Sequence, residues 1–249
     1  MGTLDSKLQE EYPETADIET SSDDYASRFA GPVGAWFLKV QEKATLNMLA
    51  DSPGCTVLDV GGGHGQLTSP LLNNGFTVTI LGSSDVCIER IRQYVDGKQC
   101  FFQAGNILNL PYPDRSFDVV LSYRLLPHVA RWKEYLSELA RVAKQVVMLD
   151  YPESRSVNSL TPYLFSFKKN LEGNTRTYKV FQQDDILEVF EKLGYQRAGR
   201  YAEFFFPMVL HRKLKAPKIS SSLEHMSRLV GLTGWFGSPV ILKMVRSGG

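Results

Sequence analysis

The chain has 249 residues, a net charge of +1 and a 43% hydrophobic content. That is room for one large α/β domain with additions, or two small domains, and the charge implies no general pull toward nucleic acid or an anionic surface. Cys55, Cys87 and Cys100 form neither a CxxC pair nor a disulfide framework, which points to a reducing, cytoplasmic setting.

Residues 1–20 are polar, lack the apolar core of a signal peptide and read as a flexible arm. No apolar run approaches the roughly 18 residues that span a bilayer. Met1-Gly2 with Ser6 matches a myristoylation pattern of a kind common by chance. Residues 21–52 read as a helical cap of two stretches, broken at Gly31-Pro32-Val33-Gly34. Ser22 followed by Asp23 and Asp24 suits a helix start, with acids at the positive end. Phe37, Val40, Ala44 and Met48 then recur at helical spacing. Tyr25, Phe29, Trp36 and Phe37 read as aromatics packed within the cap.

Thr56 to Val60 is short, β-branched and apolar, as expected of a buried parallel strand. "QLTSPLLNNGF" reads as a helix closing at Asn74-Gly75, and "TVTILG" as the second strand. "SDVCIERIRQYV" reads as a helix with Val86, Ile88, Ile91 and Val95 inward. Strands follow at "CFFQAG", at Phe117 to Ser122 and at "QVVMLDY", the last after the helix "RWKEYLSELARVA". "QQDDILEVFEKLGYQ" reads as a further helix, with final strands in "RAGRYAEFFF" and "SPVILKMVR". The βαβα alternation over 55–150 predicts an α/β fold with a doubly wound, mostly parallel sheet. Two stretches depart from it, 151–180 and 207–237, and read as insertions that build a substrate region. On this reading 21–249 is one domain.

"DVGGGHG" follows the first strand directly. Gly61, Gly63 and Gly65 let the backbone approach a ligand and leave N–H groups free as donors. The spacing is GxGxG, and Gln66 stands where the dinucleotide fingerprint needs glycine. Four histidines without metal-ligand spacing give no metal signal. His64 reads as a packed or solvent-facing side chain.

"VLDVGGGHG", "AGNILNLPYPDRSFDVVLSYRLLPHV" and "YLSELARVAKQVVMLDYP", in that order, resemble the class I S-adenosylmethionine-dependent methyltransferases. The resemblance covers about 55–150. It implies a seven-stranded Rossmann-like sheet, with S-adenosylmethionine across the carboxyl ends of the first strands. By position it implies that Asp59 and the backbone of Gly61, Gly62, Gly63 and Gly65 meet the amino acid end of the cofactor. The family's next acid falls on Gly82 and a further one on Asn106, beside Ile107. Tyr123 and Arg124 would lie near the reacting sulfonium. His128 matches a family histidine and is the candidate base. Asn106 can still accept a hydrogen bond. Gly82 cannot, and losing a bond to a charged group, roughly 1.5–3 kcal/mol, weakens binding about ten- to a hundredfold.

Ser83 is the candidate substitute for that acid, with Ser84 and Asp85 capping the next helix. The basic run after "FFFPMVLHRKLK" reads as a solvated loop, with membrane contact through 204–218 as the alternative. The expected activity is methyl transfer to the O, N or C of a small or medium organic acceptor, with no nucleic-acid partner. Loss of both acids leaves open a catalytically inactive scaffold protein. A reductase using NADPH is weaker still, because of the GxGxG spacing.

Overall fold

The structure, a computed structural model, describes residues 14–157 and 178–248. Seven strands form one sheet: β1 (Thr56–Val60), β2 (Thr77–Gly82), β3 (Phe101–Ala104), β4 (Phe117–Ser122), β5 (Ala143–Tyr151), β6 (Tyr195–Phe204) and β7 (Ser238–Arg246). Their order is β3-β2-β1-β4-β5-β7-β6. The first five run parallel, and β7 lies antiparallel between β5 and β6.

Alternation along each central strand sorts the core into two layers. Leu58, Val60, Val120, Val147 and Leu242 face one side, with Leu136 and Leu139 of the helix Trp132–Val142. Val57, Ile80, Val119, Met148 and Ile241 face the other, against Ala44 and Leu71. The strands are apolar on both faces because both are covered. Parallel β1, β2, β4 and β5 bring their carboxyl ends to one edge, where the loops after them can form a site.

The helices are α1 (Ala16–Thr20), α2 (Asp23–Ser27), α3 (Gly31–Met48), α4 (Thr68–Asn73), α5 (Arg92–Asp96), α6 (Trp132–Val142), α7 (Gln183–Lys192), α8 (Met208–Leu214), α9 (Pro217–Leu229) and α10 (Leu232–Phe236). Ser22 caps α2 as expected, its Oγ accepting from Tyr25 N at 3.1 Å.

Four expectations need correction. The arm is not loose over 16–20: it forms α1, and Ala16, Asp17 and Thr20 are buried. Gly31-Pro32-Val33-Gly34 is no break but the first turn of α3, where the proline lacks only an N–H that is orphaned anyway. Residues 84–95 split into a short turn, Asp85–Ile88, and α5, and Val86 faces solvent. The basic loop after β6 is helical and becomes α8. Of the insertion expected at 151–180, residues 158–177 lie outside the described residues, as do residues 1–13 of the arm.

Candidate cofactor site

β1 delivers the chain into the glycine loop. Gly61 and Gly65 sit at φ 78° and 72°, the left-handed region that disfavours other residues. A Cβ at Gly62 would strike the Asp59 carboxylate, and one at Gly63 would strike Ser21 Oγ and lie 2.5 Å from the Cys87 carbonyl oxygen. Asp59 is 1% exposed, and its Oδ2 finds no partner among the described residues. Burial pushes its carboxyl pKa up to about 7. His64 is buried, and its Nδ1 accepts from Gln66 N at 3.2 Å. Burial first, then the charges of Arg124 and Arg90, push its pKa down to about 3. It is a neutral packing residue.

Gly82 explains its own missing acid. A Cβ there would lie 2.6 Å from Cys87 Cβ and 3.2 Å from the Phe102 ring, so the space is filled from the turn that follows. A carboxylate nevertheless reaches the spot from α1. Asp17 accepts from Ser83 N at 2.6 Å and Ser83 Oγ at 2.5 Å, and lies 3.5 Å from Cys87 Sγ. Its Cβ stands 3.5 Å from where a Cβ of Gly61 would be. α1 therefore lies across the glycine loop, with Asp17 over Gly61 and Ser21 over Gly63. It is held from both sides: Ala16 enters the core, and Glu14 Oε1 accepts from Ala130 N at 2.8 Å. Ser84 caps the turn Asp85–Ile88 as expected.

The other residues singled out by sequence are spread along the same edge. Asn106 Oδ1 accepts from Leu108 N at 2.9 Å, a local turn bond, and Ile107 is fully buried. Tyr123 is turned under α3, its hydroxyl 3.0 Å from Thr45 Oγ1, so its ring belongs to the core and not to the cleft. Arg124 adopts φ 62°, a strained turn for a non-glycine residue. Its N–H donates to Asp150 Oδ1 at 2.6 Å, and its guanidinium lies 4.1 Å from the Phe29 ring centroid. His128 ends the turn Leu126–His128 and meets the Tyr178 ring edge-on, with centroids 5.6 Å apart.

Sequence reasoning missed a buried polar cluster beside Arg124. Gln41 of α3 donates through Nε2 to Asp150 Oδ2 at 3.2 Å and to Glu203 Oε1 at 3.0 Å. Its Oε1 accepts from Gln66 Nε2 at 2.7 Å and from the Arg124 guanidinium at 3.1 Å. Burial raises Asp150 to about 6 and Glu203 to about 8, each resisted by Arg124 and Gln41. The signal was present: Glu203 is an acid inside the apolar run "AEFFF", and Asp150 stands at the carboxyl end of a strand. Asp17 carried no such signal. Among the described residues no group of three or more His, Cys, Asp or Glu could hold a metal ion.

A family described as "Methyltransferase domain" matches residues 58–148. The chain is 25% identical over 193 residues to a demethylmenaquinone methyltransferase of Tropheryma whipplei, covering 71% of this chain and 81% of that one. It is 35% identical over 120 residues to the protein of the same name from Deinococcus radiodurans, covering 45% and 49%. Its fold superposes on the magnesium protoporphyrin IX methyltransferase of Synechocystis PCC 6803, solved with bound SAH, at a TM-score of 0.62 and 18% identity, over 90% and 94% of the two chains.

Proposed function

We infer that this chain is a class I S-adenosylmethionine-dependent methyltransferase and that it methylates a small or medium organic acceptor at O, N or C. The observation that carries the reading is the pairing of the glycine cradle with the unpartnered, buried Asp59 Oδ2. A buried carboxylate without a partner is costly unless a cation completes it, and the ammonium of S-adenosylmethionine is such a cation. Asp59 and the backbone of Gly61, Gly62, Gly63 and Gly65 would hold the amino acid end. Ser83 and the segment Asn106-Ile107 would hold the nucleoside. The donor set fits. Asp17 of α1 and its C-cap Ser21 stand against Gly61 and Gly63 beside Leu125 and Cys87, so withdrawal of α1 would open part of the loop to the cofactor.

When bound, the cofactor supplies an electrophilic methyl on a sulfonium sulfur. The chain's own part is to orient the acceptor and exclude water, which by itself supplies much of the rate in a direct displacement. Arg124, with Tyr123 behind it in the core, would mark the reacting end. His128 is the candidate base for a hydroxyl acceptor. Asp150 and Glu203 cannot easily both be charged in one buried cluster, so they hold a proton between them next to Arg124. The demethylmenaquinone methyltransferases among its relatives favour a small-molecule acceptor.

Calorimetry with S-adenosylmethionine, S-adenosylhomocysteine and NADPH tests the reading. Micromolar binding of the first two is expected. Binding of neither overturns it, and binding of NADPH alone favours a reductase.

A further inference from the structure

α9 is amphipathic the wrong way round. Its buried residues are Ser220, Glu224 and Ser227. Its exposed face carries Ile219, Leu223 and Met226 and runs on to Val230, at i, i+4, i+7 and i+11, one stripe of a helix. The inward polar face is specified. Glu224 accepts from Phe205 N at 2.8 Å and Phe206 N at 2.9 Å, and pairs with the buried His211 Nε2 at 2.8 Å. Arg228 donates to the carbonyls of Ala202 and Glu203. Turning the helix over would break all of these bonds, so the apolar stripe is held outward.

The stripe is not isolated. Of the fourteen large apolar side chains exposed among the described residues, ten fall between 210 and 236. Ile219, Leu223 and Met226 line one shallow, open groove with Lys218 and Ser222. α10 packs on α9 and adds Trp235, 76% exposed, and Phe236. A concentration of apolar surface on this scale marks a docking face.

Charge says what docks there. Residues 207–237 contain five Lys or Arg and one acid, in a chain whose net charge is +1. The acid is the buried Glu224, while Arg212, Lys213, Lys215 and Lys218 are exposed. A second copy of the chain would bring cations against cations. An outward apolar stripe, an exposed tryptophan and flanking lysines without surface acids suit the interface of an anionic lipid bilayer. We propose that α8 to α10 dock this protein on an anionic membrane surface, α9 lying in the interface with its apolar stripe toward the acyl chains. No described helix is long and apolar enough to cross a membrane, so this is attachment from one side.

The test is sedimentation of the full chain with vesicles of phosphatidylcholine alone and of phosphatidylcholine with phosphatidylserine, at low and high salt. Trp235 emission is followed in parallel. Expected are binding to the anionic vesicles, a blue shift of that emission, and release by salt. Met226→Asp with Leu223→Asp abolishes binding. Lys215→Glu with Lys218→Glu weakens it at least twentyfold, from about fivefold per lysine near an anionic surface. S-adenosylhomocysteine binding, unchanged in these variants, shows that they fold. If the chain ignores anionic vesicles at low salt, or the Asp variants bind as well as the parent, the proposal fails. It fails equally if light scattering shows the stripe consumed by self-association.

Discussion

Asp17→Ala separates two roles for the carboxylate that stands beside Gly82. In the structure Asp17 spends its oxygens on Ser83 N–H and Oγ–H, and α1 covers the glycine loop. On the proposed placement, cofactor and α1 compete for one place. Each bond to the carboxylate is worth roughly 1.5–3 kcal/mol. Burial of Asp17, which raises its pKa, offsets part of the two. A net docking contribution of about 1.5–3 kcal/mol corresponds to a factor of about ten to a hundred. An apparent dissociation constant is the intrinsic one divided by the fraction of chains with the site open. Removing the carboxylate therefore tightens S-adenosylhomocysteine binding by up to that factor, read by calorimetry. The gain is smaller to the extent that Ala16 and Glu14 keep α1 in place. Weaker binding would mean that Asp17 holds the ribose in place of the missing strand-end acid. Unchanged binding would mean that α1 and the cofactor do not compete.

In the Asp17→Ala background, Ser83→Ala should weaken S-adenosylhomocysteine binding several-fold; no change there would leave Ser83 as a turn residue only. Gly63→Arg should abolish that binding, because a long side chain would occupy the loop where a ligand must approach the backbone; retained affinity would misplace the site. Stability should fall as pH rises, through Glu203. Its carboxyl holds its proton to about pH 8 in the folded chain against 4.5 ordinarily. The folded state thus binds the extra proton, and that stabilisation is full below 4.5 and gone above about 8. Asp150 adds the same sign between 3.8 and about 6. Neutral His64 acts with the opposite sign between about 3 and 6.5, so the thermal midpoint of the parent should drop most clearly between about pH 6.5 and 8, by about 2 kcal/mol in stability. Glu203→Gln should flatten the drop, and a parent profile that rises instead would contradict the assignment.

The legible parts of the sequence were those decided by local chemistry. β1, β2, β4 and β7 run where their β-branched and apolar residues stand, to the residue. A strand buried on both faces announces itself in a continuous run. The glycine loop was legible because left-handed backbone and close approach leave little choice. Residues 84–95 were misread because Val86 fits a helical period yet stands in a tight turn that aims it at water. Asp17 and Ser83 lie 66 positions apart, and no pattern within either segment announces the other. α9 was obscure for a different reason: its period is ordinary, and only the packing decides that the apolar side looks outward.

The place of β7 in the sheet orders how the chain is put together on the ribosome. Everything through β5 can pair with strands already made. β6 cannot, since its neighbour in the sheet is β7, Ser238–Arg246, which follows it in the chain. Until β7 is made, β6 and the helices α8 to α10 have no seat on the sheet. The half that binds the cofactor can therefore close while the half that meets its surroundings still hangs free. A ribosome stalled before β7 would leave the apolar stripe of α9 exposed on an unanchored segment, so β7 is the latch that makes that surface safe to display.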